Sequence, residues 1–161
     1  MNYYLLRIAT VFVLSATLLA CGFHLRDSSQ FAYKNMYISG NTQINKPLTK
    51  SLQANGLQIV NNPADAEMQL ELLKEESEKR ILSLSGTGVV REFELFYRVH
   101  FRTKSTADSV WSPPQTMEAR RDFSYEDANL LAKQAEEKRL NENMRSDVVS
   151  GLVRRLAAIK K

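Results

Sequence analysis

The sequence predicts an α+β fold: a two-layer sandwich with two amphipathic helices packed on a four-stranded, mainly antiparallel sheet. Three observations carry that expectation. Phe93, Leu95, Tyr97, Val99 and Phe101 alternate with Glu94, Phe96, Arg98, His100 and Arg102, the period-2 pattern of a strand with one face in a core. Leu140, Met144, Val148, Leu152 and Leu156 step by four, and Val149 and Val153 widen the stripe, as in a helix buried along one side. Between and before them the order reads strand, helix, three strands, helix.

Along the chain, the first element is a leader rather than part of the fold. Arg7 is its lone charge, Ile8 to Ala20 run thirteen residues without another, and small Ala20 precedes Cys21. A short basic start, an apolar run of that length and a small residue before the cut mark a secretory signal peptide over residues 1–20. A membrane-spanning helix needs about 20 apolar residues, so an uncleaved anchor fits less well. Leu18-Leu19-Ala20-Cys21 is similar to the bacterial lipobox, which implies cleavage before Cys21, diacylglycerol on its sulfur and an acyl chain on its new amino group. Gly22 rather than Asp after the cysteine resembles delivery to the outer membrane. Cleavage leaves 141 residues, one ordinary domain. The formal charge falls from +4 to +3, too mild a balance to imply nucleic acid. Cys21 is the only cysteine, so no disulfide supports the fold.

Residues 21–34 read as a lipidated tether and 35–161 as the domain. "NMYISG" (Asn35–Gly40) is a short strand. Asn45 is placed to cap a helix, with Pro47 in its first turn, Leu48, Leu52 and Ala54 near one face, and Asn55-Gly56 as its stop. "LQIV" begins as a strand and is interrupted at Asn61-Asn62-Pro63. Met68, Leu70 and Leu72 open a hairpin whose turn is Gly86-Thr87-Gly88. "KEESEKR" (Lys74–Arg80) is charged on every side, which predicts a stretch standing in water or bulging from the sheet. Pro113-Pro114 precedes a last strand over about Gln115 to Phe123, with Met117, Ala119 and Phe123 inward and Glu118, Arg120 and Asp122 outward. Ser124 with Asp127 resembles a capping box. A helix from there to Ile159 would be long, so a break or an irregular first turn is expected near Asn129.

Catalysis has little to stand on. The histidines are His24, beside the cysteine, and His100, on a polar strand face. No phosphate loop and no metal-ligand spacing is present, and Glu75-Glu76-Ser77-Glu78 reads as a solvated face. The chain is expected to be no enzyme and to need no cofactor beyond its covalent acyl chains.

"CGFHLRD" at the mature start, "LTKSLQANGLQIV", "VVREFELFYRV" after a glycine turn, and "NLLAK" followed by a helix ending in "LVRRL" together resemble the LptE (rare lipoprotein B) lipopolysaccharide-assembly family. The resemblance touches most of the mature chain. It implies a protein lipid-anchored on the periplasmic side of the outer membrane. Such a protein plugs the LptD β-barrel, helps it assemble and binds lipopolysaccharide on its way to the cell surface. It also implies Lys133, the lysine of "LLAK", as a lipopolysaccharide contact; on sequence alone Lys133 is an exposed helix lysine. A second basic contact of the family falls near the hairpin tip, where "SLSGTG" (Ser83–Gly88) has no arginine. Arg91 and Arg80 flank it and either can substitute, with Arg120 and Arg121 as supporting charges toward phosphate. The competing reading is a lipid- or glycan-binding envelope lipoprotein with no barrel partner.

Overall fold

The computed structural model describes residues 31–126 and 129–159, together with Tyr3, Tyr4 and Arg7. The rest of residues 1–20, expected as a leader, Cys21 with the expected tether up to residue 30, and Asp127 lie outside the described residues. The elements are β1 (Asn35–Ser39), α1 (Asn45–Ala54), β2 (Gln58–Val60), β3 (Met68–Leu84), β4 (Val90–Ser105), β5 (Gln115–Ser124) and α2 (Leu130–Ala157).

The class is as the sequence predicts, but the sheet has five strands in the order β2-β1-β3-β4-β5. The additional strand is β2. It pairs parallel to β1 with Asn35 opposite Gln58 and Tyr37 opposite Val60, and β1 in turn runs parallel to β3. The sheet is therefore mixed, because α1 acts as the crossover that parallel neighbours require. Only β3, β4 and β5 form an antiparallel meander.

One strand holds both halves of the molecule. Lys74–Arg80 stays within β3, paired from Lys74 opposite His100 to Arg80 opposite Glu94. A register shift between Leu72 and Lys74 separates it from the apolar start of the strand. Such a bulge changes which side chains face the core. Leu70 and Leu72 are buried before it; beyond it Glu75 stands opposite buried Val99. Glu75 Oε1 accepts from the Tyr97 hydroxyl at 2.7 Å, and its Oε2 accepts from the Ile44 N–H at 3.1 Å. Burial, then the neighbouring Glu75, push the Tyr97 phenol well above its ordinary pKa.

That contact corrects the expected cap of α1. Ile44 is the N-cap residue and makes no side-chain cap hydrogen bond, so Glu75 supplies the acceptor from another element. Asn45 is the first helical residue, and its Nδ2 donates to the Gly40 carbonyl at 3.0 Å. Leu48 and Leu52 are buried as expected, while Ala54 is exposed.

The second helix is unbroken over 28 residues, about 42 Å at 1.5 Å per residue. Its irregular start falls at Asn129, whose N–H donates to Glu126 O at 3.1 Å and whose side chain does not cap. Ser124 closes β5 instead of opening a capping box. Met144, Val148, Val149, Leu152, Val153 and Leu156 face the core, whereas Leu130 and Leu131 are exposed. Before β1, Tyr33 is buried and donates its hydroxyl to Leu156 O at 3.1 Å, and Phe31 packs against it.

The molecule thus has two ends. At the base, β1, β2, β3 and β5 begin and β4 and α2 finish. At the tip lie the β3–β4 turn, the end of β5 and the start of α2. β3 alone spans 17 residues, about 55 Å at 3.3 Å per residue. β1 accompanies it only along Met68–Glu71, so among the described residues β3 has a strand neighbour on one side alone from Leu72 onward.

Where β1 ends, Gly40 has φ 109° and a Cβ there would overlap the Leu72 carbonyl oxygen. Gly40→Ala is therefore expected to cost about 3 kcal/mol from backbone strain and the clash, read as a lowered midpoint in urea unfolding. An unchanged midpoint contradicts this account of the β1–α1 turn.

Candidate functional site

The tip is a polar turn set between apolar side chains. Ser85 N–H donates to Val89 O at 2.7 Å and Gly88 N–H to Ser85 O at 2.9 Å, with Gly88 at φ 81°. Ser85 Oγ lies 2.9 Å from Thr87 Oγ1 and accepts from the Val89 N–H at 3.0 Å. These bonds fix the turn with no charged residue in it. Around it Ile81, Leu82, Leu84 and Val89 are each about half exposed, and Leu131 of α2 is 81% exposed. Apolar side chains left exposed together at one end of a fold mark a surface that meets something else.

Beside the turn, β5 continues along β4 past its last residue, with Tyr125 N–H donating to Arg91 O at 2.7 Å. This brings β4, β5 and α2 around an open groove of about 830 Å³, lined by Ser83, Val89, Arg91, Ser124, Tyr125 and Lys133 among others. Lys133 is held rather than splayed into water. Its Nζ donates to Ser124 Oγ and to Glu136 Oε2, both at 3.0 Å, and its side chain is only 18% exposed. Arg91 is exposed at the groove, and among the described residues it has no carboxylate within ion-pair distance.

The other three basic candidates do not line the groove. Arg80 is bound through two nitrogens to Glu78 at 2.6 and 2.8 Å, on the sheet face that no helix covers. Arg120 on that same face meets Glu94 at 2.8 Å and Asp122 at 3.7 Å. Arg121 points the other way, toward α2, and pairs with Asp147.

The uncovered face is a ladder of opposite charges. Arg102 pairs with Glu71 at 2.5 Å, His100 Nε2 lies 3.2 Å from Glu76, Arg98 meets Glu78 at 2.8 Å, and Arg98 also pairs with Glu118. Phe96 is the one large apolar side chain of β4 on this side. It is 7% exposed because the Arg80 and Arg98 guanidinium groups lie 4.8 and 4.5 Å from its ring centroid, a favourable stack of cation on aromatic face.

Sequence reasoning missed Lys79 and the Ser124 hydroxyl. Lys79 Nζ lies 4.1 Å from the Phe93 centroid and 2.6 Å from Glu137, while Phe93 contacts Phe123 and Tyr125 at 5.8 and 5.1 Å. The position of Lys79 follows once a bulge is placed after Leu72, since Glu75, Lys79 and Ile81 then turn to the covered face opposite Val99, Leu95 and Phe93. Cys21 and His24 lie outside the described residues. Among those described, no group of His, Cys, Asp and Glu is arranged to hold a metal ion, and no helix is long and apolar enough to cross a membrane.

The fold and this end together define a small α+β domain with a polar groove that holds Lys133 and Arg91 alongside Glu92 and Glu126 near exposed apolar side chains of the hairpin. A family model described as LptE, lipopolysaccharide-assembly, matches residues 33–156. The chain belongs to the LptE lipopolysaccharide-assembly family. The solution NMR structure of an uncharacterized lipoprotein B from Nitrosomonas europaea is 33% identical, covers 85% of this chain and 91% of its own, and superposes with a TM-score of 0.75. The crystal structure of the rare lipoprotein B from Shewanella oneidensis is 26% identical over 78% of this chain and 95% of its own, with a TM-score of 0.69. A minor lipoprotein from Acinetobacter baumannii shares the fold, at 23% identity over 80% of this chain and 94% of its own and a TM-score of 0.63. No match is found among curated proteins.

Hydrogen bonds from Arg80, then Arg98, hold the Glu78 carboxyl down to about 2 from an ordinary 4.5. A lowered folded-state pKa means that the pairs are intact above about 4.5 and are lost as pH falls toward 2. An NMR titration of the Glu78 carboxyl carbon is expected to give that low midpoint, and Arg80→Gln to move it upward. A native midpoint near 4.5 contradicts the ladder.

Proposed function

We propose that this chain is an outer-membrane lipoprotein that plugs an LptD β-barrel, assists its assembly and binds lipopolysaccharide during transport to the cell surface. In this reading the mature protein begins at Cys21, which carries diacylglycerol and an N-acyl chain and anchors it on the periplasmic side of the outer membrane. The protein acts without turnover, as a binding surface and a filler of the barrel.

The observation that carries the reading is the amphipathic tip. Lipopolysaccharide presents phosphates next to acyl chains, and the groove sets Lys133 and Arg91 beside Val89, with exposed Ile81, Leu82 and Leu84 on the neighbouring strand β3. A fixed lysine ammonium and a guanidinium with no carboxylate partner among the described residues are suitable donors to phosphate. Lys133 already sits between Ser124 and Glu136, so little side-chain freedom is lost when a ligand arrives. The plug role draws support from the uncovered face. Its charges are matched in pairs, which makes that face polar without a strong field and compatible with the polar interior of a barrel.

Two measurements test this. Lys133→Ala is expected to weaken lipopolysaccharide binding about tenfold, the worth of one charge-assisted hydrogen bond. The deficit should shrink as salt is raised, because the contact is screened. Arg91→Ala should behave alike, and unchanged affinity in both variants removes the groove from the site. A pull-down of tagged protein from detergent-solubilised envelopes is expected to bring one large outer-membrane barrel at near-equal amounts. Ligand binding without such a partner favours the envelope lipoprotein that works alone.

A further inference from the structure

The base of the domain carries a second apolar feature, far from the tip. The loop between β4 and β5 exposes Val110 by 74% and holds Trp111, the only tryptophan of the chain. With Met68 and Ile159 these two residues line a groove of about 550 Å³. The loop is not a loose end. Ser112 N–H donates to Thr103 O at 2.8 Å, Thr103 N–H donates to Ser112 Oγ at 3.0 Å, and Thr106 Oγ1 donates to Glu67 O at 2.7 Å. On the other side the Arg102 guanidinium stands 4.8 Å from the Trp111 ring centroid. Val110 and Trp111 are thus presented at the base on a braced segment, with a cation against the indole.

The same end is where the chain enters the fold. Glu67 N–H, at the start of β3, donates to Asn35 O at the start of β1. Met68 pairs with both Met36 and Ser105, which places the entry strand and the loop at one end. Nine residues separate Cys21 from Phe31, a reach of at most about 35 Å when fully extended. If Cys21 is acylated, as the proposed function has it, the base is confined near the lipid surface, whereas the tip lies about 55 Å further along β3.

We infer that the β4–β5 loop is a second membrane contact, in which Val110 and Trp111 enter the headgroup–acyl boundary of the leaflet that holds the acylated Cys21. Tryptophan favours that boundary because its ring is apolar while its N–H still finds polar partners. Lys104, at the same end of β4, supplies positive charge toward lipid phosphate, while Arg102 beside the ring is paired with Glu71 and Asp108 stands in the same loop. One acyl chain alone binds a membrane only marginally, but Cys21 would carry several and these supply the attachment. The loop fixes the orientation of the domain against the leaflet.

The inference rests on acylation of Cys21, and the test separates the two. Acylated protein, purified free of partner proteins, is reconstituted into phosphatidylethanolamine–phosphatidylglycerol vesicles containing brominated acyl chains. Mass spectrometry of the N-terminal peptide first reports whether the acyl chains are present; their absence removes the anchor, and the inference with it. With the chains present, brominated lipid is expected to quench Trp111 emission and the emission to lie at shorter wavelength than in detergent-free urea. Val110→Asp, at a position too exposed to affect folding, should reduce the quenching several-fold while the acyl chains keep the variant on the vesicles. Full acylation with unquenched Trp111 overturns the inference. So does unquenched emission that shifts only when residues 23–30 are deleted, which would put the tether rather than lipid in the groove.

Discussion

The carboxylate of Glu75 ties the two layers together, and it reaches its position through the bulge after Leu72. Without that register shift, β3 would continue to place even-numbered residues in the core and Glu75 would point into water. With it, a carboxylate stands against the Tyr97 hydroxyl and the first free N–H of α1. The interaction is costly to leave half made. Removing one partner strands a buried donor or acceptor, whereas the intact set satisfies each. The Arg145 guanidinium of α2 lies 5.8 Å from the Tyr97 ring, so both helices meet at this point of the sheet.

Beyond the bulge the strand changes task. Its first part belongs to a core of Met36, Leu48, Leu70, Phe101 and Leu152; its second part carries the tip. The apolar stripe of α2 follows the same division, with all six of its fully buried residues from Met144 onward and its earlier turns lying along the hairpin, where Glu137 meets Lys79. A domain of this size has one core, and the tip is held out from it by paired backbone and by ion pairs. That arrangement leaves the apolar side chains at the far end without cover from their own fold.

Most of the architecture was readable from periodicity, because burial on one face imposes it. β4 alternates over its length, the stripe of α2 repeats every four residues, and Gly86 to Gly88 makes the turn between long strands. The misses have local causes. β2 is three residues long and parallel to its neighbour, too short to show a period. The bulge is invisible because a register shift leaves no residue signature in a run charged on both faces. Asn45 has the chemistry of a cap, but the acceptor arrives from thirty residues away. The groove was only partly legible. Arg80, Arg91, Arg120 and Arg121 are alike in the sequence; what separates them is the carboxylate that register sets beside three of them. Lys133 looks like a solvated helix lysine until Ser124 is found within hydrogen-bond distance.

The one-sided pairing of β3 has its own consequence. A long strand edge with unused backbone donors and acceptors is a template on which other chains add. Here the regular stretch is limited to Lys74–Ile81 by register shifts at both ends. Antiparallel self-pairing centred on Ser77 would set Lys74 against Arg80 and Glu76 against Glu78 on the uncovered face, like charges in direct opposition, which destabilise a ladder. The same ionic run that looked like mere solvated surface therefore discourages copies of the chain from zipping together into aggregates while it is still on its own.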